Sequence, residues 1–290
     1  MIAPHPAHPF AWTPQPWGRA LQSVPLAAIA RHLFTTSDLR LRGPRSEDGW
    51  RLLAIAVAVQ PSRLARLKQV HGTRVVVIRR GDPVPAPLGP PALADDDDGR
   101  PRADIVMTDD PAVAVAVQVA DCVPLLLADP VTGAVAAVHA GWRGTAAGAA
   151  RHAVAAMQLH FGTRPADLVA AIGPSIGPCC YQVGADVVDA FQAAGHADAA
   201  IREWFRPEGS PQSWRSAPVV ADAGQVKYRL DVPTANVDQL RAAGLDPARI
   251  AACSLCTACH PSVFPSYRRD GAGTGRLAAV ITPGRDAGSR

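Results

Sequence analysis

Between residues 104 and 139 the chain is nearly all apolar, broken into four short runs by turn-forming residues. The runs 104–108, 113–119, 123–128 and 134–139 are rich in Val, Leu, Ile and Ala, and their lengths suit strands. Further strands are expected at 74–78, 168–172, 226–231, 250–253 and 276–281. Helices are expected at 145–161, with Gly162 just beyond its end, and at 184–194 and 232–243. Residues 50–59 fit helix and strand equally. Residues 1–33 are Pro-rich and weakly patterned, and are expected as an N-terminal extension packed on the surface. Segment 81–102 is also Pro-rich, and its acidic run 95–98 reads as a solvated loop rather than a metal site. No repeat and no linker divides the chain. Strands clustered ahead of helices predict one layered domain with a mixed sheet, α/β or α+β.

Composition narrows the functional classes. Of 290 residues 48% are hydrophobic but only 5% aromatic, so the core must be built from small and branched aliphatics. Charged residues are 19%, below the ~25% of ordinary globular proteins. The net charge of +4 is scattered, with no basic run to track a phosphate backbone, which argues against nucleic-acid binding. The longest apolar stretch, 112–128, is interrupted by Gln118, Asp121 and Pro124 and falls short of the ~20 residues of a membrane helix. The first residues lack the pattern of a secretory signal. A cytoplasmic protein with no membrane association is expected, and its six cysteines should stay reduced.

The turn at 129–133, with Pro130 early and Gly133 late, joins two of the apolar runs as a hairpin. Folding the chain about Val131 sets Cys122 opposite His139 at the hairpin mouth, close enough for both to ligate one zinc ion. His139 opens the string His-Ala-Gly-Trp-Arg-Gly, which runs into the expected helix at 145. Gly141 and Gly144 would allow close backbone approach, the helix start would favour an anion, and Arg143 would add a fork for phosphate or carboxylate. A third metal ligand is then required, and spacing leaves His71 and His260 as open alternatives. Cys253, Cys256 and Cys259 form a C-x₂-C-x₂-C run, and Cys256 to His260 fits the haem-attachment pattern. Haem is attached outside the cytoplasm and is not expected here; a second metal or a redox dithiol stays open.

The strings KQVHG (68–72), ADCVPLLLADP (120–130), AVHAGWRGT (137–145), IGPSIGPCCYQVG (172–184), LDVPTAN (230–236) and SYRRDG (266–271) resemble the laccase-domain family. Its members are also described as peptidoglycan editing factors and purine nucleoside phosphorylases. The motifs keep the family's order across 34–281, so 34–290 is expected to form the catalytic domain. The resemblance implies a single-domain layered α/β sandwich. It implies a metal held by His71, Cys122 and His139, which chooses His71 over His260. It also implies phosphorolysis of adenosine, inosine and methylthioadenosine, with adenosine deamination besides.

On this reading Zn2+ is the expected cofactor, with Cu2+ as the alternative. Asp121 and Arg143 are the candidate catalytic residues, and Arg51, Gln69, Gly141 and Gly144 the candidate substrate contacts. The partners are a small-molecule nucleoside and phosphate, and no protein partner is inferred. The alternative activities are copper-dependent polyphenol oxidation and editing of a peptidoglycan precursor. Near the N-terminus Thr35-Thr36 continues as SDLRLRG where the family has a glycine-rich stretch, and Trp50-Arg51 stands in place of its Asn-Arg.

Overall fold

The apolar runs are strands buried on both faces. The structure, a computed structural model, describes residues 4–43, 45–85, 99–207 and 226–284. In chain order the strands are β1 (Phe10–Gln15), β2 (Gly18–Ser23), β3 (Ala30–Phe34), β4 (Leu64–Ala65), β5 (Val75–Ile78), β6 (Ile105–Thr108), β7 (Ala114–Val119) and β8 (Val123–Ala128). They continue with β9 (Val135–Ala140), β10 (Val169–Ile172), β11 (Gln182–Gly184), β12 (Phe205–Pro207), β13 (Lys227–Leu230), β14 (Ile250–Ala252) and β15 (Leu277–Pro283). The helices are α1 (Val24–Ala27), α2 (Ser46–Ala56), α3 (Trp142–Ala146), α4 (Ala149–Phe161), α5 (Ala185–Ala193), α6 (Asp198–Trp204), α7 (Val232–Ala242) and α8 (Tyr267–Asp270).

Two six-stranded mixed sheets form the centre, in the orders β1-β2-β3-β15-β7-β4 and β14-β10-β8-β9-β6-β5, and β11-β13-β12 make a small third sheet. Side-chain alternation divides the core. In β7, Val115, Val117 and Val119 face the second sheet, while Ala114 and Ala116 face α2 through Trp50 and Leu53. In β8, Leu126 and Ala128 point into the space between the sheets, and Val123, Leu125 and Leu127 point toward α4 and α7. Each strand side therefore meets another layer, which is why no polar alternation is visible in these runs. Burying each Val or Leu here is worth about 1.5–3 kcal/mol. Among the described residues no helix is long and apolar enough to cross a membrane.

Several expectations change. Of residues 50–59, 50–56 resolve as helix, the C-terminal part of α2, and 57–59 as the turn that follows it. The segment 1–33, expected as a surface extension, supplies β1, β2 and most of β3, and Leu21, Leu26 and Leu33 are buried. Its prolines disguised it: β1 is an edge strand, where Pro14 is tolerated because one side of the strand needs no ladder partner. The expected helix at 145–161 is two helices, broken where Gly148 takes φ +81°. The acidic run 95–98 lies outside the described residues.

His32 in β3 is a buried polar group inside this sandwich. Its Nε2 accepts the Ser23 N–H at 2.9 Å and its Nδ1 faces the Ala30 carbonyl at 3.4 Å, an arrangement that needs the neutral ring. Burial pushes its pKa down from 6.5 to about 4. Between those values the unfolded chain holds more protons than the folded one, so this contribution to stability is complete above pH 6.5 and lost as pH falls toward 4. Thermal melts from pH 7 to 4.5 should show a steeper fall for the wild type than for His32→Gln. Parallel curves would assign the acid sensitivity to other groups.

Candidate metal centre and its cavity

The site is assembled around one buried carboxylate. Asp104, just ahead of β6, accepts backbone N–H groups from Val70, His71 and Gly72 at 3.1, 2.9 and 2.7 Å. Its Oδ1 also lies 2.7 Å from His139 Nδ1, so the ring donates there and turns Nε2 outward. The loop carrying His71 is thereby tied to β9, which carries His139. His71 itself has φ +61°, a left-handed conformation held by these bonds.

Cys122 completes the group. The expected pairing of Cys122 with His139 is corrected: His139 lies opposite Pro124, two residues away. A shift of two preserves the face, because side chains alternate with period two, so thiol and imidazole still converge. The ligand atoms of His71, Cys122 and His139 lie within 4.8 Å of one another, with Cys122 Sγ 4.0 Å from His71 Nε2. A Cβ on Gly141 would come within 2.9 Å of Cys122 Sγ and 3.0 Å of His71 Cδ2. Glycine there keeps open the space that the three donors surround.

Electrostatics suit a cation. Burial pushes the Cys122 thiol up, but the imidazoles of His139 and His71 more than reverse it and hold it at about 6. Burial opposes charging of His139, yet the Cys122 thiolate and Asp104 raise it to about 9. Asp104 feels the same burial penalty, and its hydrogen bonds to His139 and the loop hold it below the usual carboxylate range. One thiolate and two imidazoles, one of them backed by a carboxylate, are the donor chemistry of a catalytic zinc site with an open fourth position. The residues present fit the ion that the sequence implies.

The three side chains line a cavity of about 710 Å³, within the ~300–1,000 Å³ of small-molecule sites. Five cationic residues, Lys68, Arg100, Arg143, Arg268 and Arg276, share its lining with Trp142, Tyr181 and Tyr267. Arg143 is exposed, with its guanidinium 4.2 Å from the Trp142 ring centroid. Helix α3 spans only five residues, so the anion-attracting character of this rim comes from side chains more than from a helix dipole.

Other expected residues have different places. Gln69 reaches the cavity, but its amide is engaged with the Gln118 backbone, donating at 2.8 Å and accepting at 2.9 Å. Asp121 lines the cavity with φ +88°, and its two oxygens accept from Thr257 Oγ1 and the Arg268 N–H, each at 2.6 Å. Both of its oxygens are thereby engaged. Gly144 is buried, and a Cβ there would lie 3.3 Å from the Gly72 carbonyl, so it permits packing rather than ligand contact. Arg51 is exposed on α2 and His260 caps a turn at 260–264; neither lines the cavity. Sequence reasoning missed Asp104, Tyr181, Arg268 and Arg276, although Tyr181 and Arg268 sit within the strings at 172–184 and 266–271.

Fold and site together define a layered α/β sandwich with a His₂Cys donor set at the floor of a cationic cavity. The chain belongs to the laccase-domain family: the family model described as multi-copper polyphenol oxidoreductase laccase matches residues 46–283. It is 38% identical over 231 residues to the purine nucleoside phosphorylase YlmD of Geobacillus stearothermophilus, covering 80% of this chain and 76% of that protein. It is 34% identical to a purine nucleoside phosphorylase of Deinococcus radiodurans, covering 96% and 90%. The crystal structure of Bacillus licheniformis YfiH superposes with a TM-score of 0.77 at 28% identity, covering 96% of this chain and all of the other. That of the Geobacillus YlmD gives 0.72 at 33% identity, covering 91% and 96%.

Because Asp104 orients the imidazole of His139 and secures the loop of His71, Asp104→Ala should weaken metal binding by about 10–100-fold. Competition against a coloured chelator reads this directly, and wild-type affinity would show that the carboxylate is dispensable. Gly141→Ala should lose the ion while keeping the far-ultraviolet circular dichroism of the wild type.

Proposed function

We propose that the chain is a cytoplasmic, zinc-dependent purine nucleoside phosphorylase acting on adenosine, inosine and methylthioadenosine, with adenosine deamination at the same site. The observation that carries this reading is the His₂Cys donor set in a cavity rimmed by five cations and three aromatic rings. Such a rim suits a ligand pair of one anion and one flat heterocycle, and the relatives named above as purine nucleoside phosphorylases support the choice.

In this mechanism Arg143, with the neighbouring cations, binds phosphate and aims an oxygen at the ribose C1′. The new C1′–O bond forms as the C1′–N9 bond breaks, and the departing electron pair goes to the purine, which takes up a proton. Trp142, Tyr181 and Tyr267 offer faces and edges for the base. His71, Cys122 and His139 would hold the zinc, which when bound supplies Lewis acidity to activate water or polarise the substrate. Asp121 and Gln69 act by fixing the backbone that presents Cys122 and His71. A polyphenol oxidase reading is weaker, because copper oxidases with several metals need additional histidine clusters. Among the described residues the one other group of metal-type side chains is all sulfur.

Zinc-loaded protein given adenosine and phosphate should release adenine and ribose 1-phosphate, and inosine should form whether or not phosphate is present. His139→Ala should abolish both reactions, and full turnover by that variant would sink the assignment. Arg143→Ala should raise the KM for phosphate about tenfold, the scale of one charge-assisted hydrogen bond, with the KM for adenosine little changed.

A further inference from the structure

Among the described residues outside the cavity, the largest concentration of ligand chemistry is a knot of sulfur. Cys179 and Cys180 follow β10, and Cys256 and Cys259 lie in the loop after β14, so two distant segments meet. The four sulfurs all lie within 4.8 Å of one another, with Cys259 Sγ 3.5 Å from that of Cys179 and 3.4 Å from that of Cys180. Four thiolates at ~2.3 Å around a tetrahedral ion sit roughly 3.8 Å apart, so the spacing is that of a single ion's ligand shell.

We propose that Cys179, Cys180, Cys256 and Cys259 form a closed tetrathiolate site for one thiophilic divalent cation of the zinc class, separate from the His₂Cys centre. The backbone is shaped for it. The two loops are already joined, with the Thr257 N–H on the Ser175 carbonyl at 3.0 Å and the Ser175 N–H on the Leu255 carbonyl at 3.3 Å. The Gly177 N–H points at Cys256 Sγ at 3.3 Å, and a Cβ on Gly177 would come within 3.3 Å of Cys179 Sγ. Cys253, the other member of the C-x₂-C-x₂-C run, is instead buried in the core between the sheets.

A disulfide fits these sulfurs less well. Cys259 has two nearly equidistant neighbours, and joining it to one of them would leave the other and Cys256 in the same knot. The all-sulfur donor set excludes hard cations, and four ligands leave no open position, which makes the role structural. The site would staple the loop bearing Tyr181 to the loop whose Thr257 holds Asp121, so it would stiffen one wall of the cavity.

Elemental analysis of the desalted full-length protein, produced with zinc in the medium, should find two ions per chain. The pair Cys180→Ser/Cys259→Ser should retain one, and His71→Ala/His139→Ala should also retain one. Cobalt-loaded His71→Ala/His139→Ala should show the intense near-ultraviolet bands of thiolate–cobalt charge transfer. Should the cysteine variant fail to fold, titrating the His71→Ala/Cys122→Ala/His139→Ala protein with a mercurial serves instead: one ion should leave as four thiols react. One ion per chain in the wild type, unchanged on replacing Cys180 and Cys259, would overturn the proposal. So would a disulfide to Cys259 in freshly isolated protein.

Discussion

A single carboxylate with no exposure to solvent holds the site in register. Asp104 accepts three successive backbone N–H groups from 70–72 and the Nδ1–H of His139, while its own carbonyl takes the His139 N–H at 2.8 Å. A buried carboxylate is costly unless every lone pair is used, and here the loop and the ring supply the donors. Without it, three backbone donors would lose their acceptor, at about 1–3 kcal/mol for each one left buried. The convergence of His71 and His139 thus depends on a carboxylate that stands outside the three-residue group.

The same loop is bound to both sheets. Asp104 ties it to β6 of the second sheet, and Gln69, through both atoms of its amide, ties it to Gln118 in β7 of the first. His71 therefore sits across the seam of the sandwich, and Cys122 follows Asp121 at the turn between β7 and β8. Both faces of these strands are packed, so the floor of the cavity rests on buried strand ends. The left-handed conformations of His71 and Asp121 are strain that this packing and the surrounding hydrogen bonds can sustain.

The family's description as a multi-copper oxidoreductase and its relatives' names as purine nucleoside phosphorylases pull in different directions. The donor sets bear on that choice. Two imidazoles and a thiolate beside a cationic, aromatic rim suit Lewis-acid chemistry on an anion and a heterocycle. Thr257, in the loop that carries Cys256 and Cys259, is hydrogen-bonded to Asp121, next to Cys122, and so joins the sulfur knot to the cavity wall.

The sequence alone determined the strands of the double-buried core, because long apolar runs cut by Gly, Pro and Asp can hardly fold otherwise. It also pointed to His71, Cys122 and His139, two through a hairpin and the third through resemblance, and the fold brings their donor atoms within 4.8 Å of one another. The hairpin register was misjudged by two residues, and the outcome survived because alternation conserves the face. Tertiary structure decided what depends on partners far along the chain. It turned the Pro-rich start into β1–β3 by providing β15 to pair with, and resolved 50–56 as helix by supplying a sheet face for Trp50 and Leu53. It made Asp104 the hub, and gathered Cys179 and Cys180 with Cys256 and Cys259. A carboxylate's worth depends on which donors surround it when buried, and that is a property of the folded arrangement rather than of any local pattern.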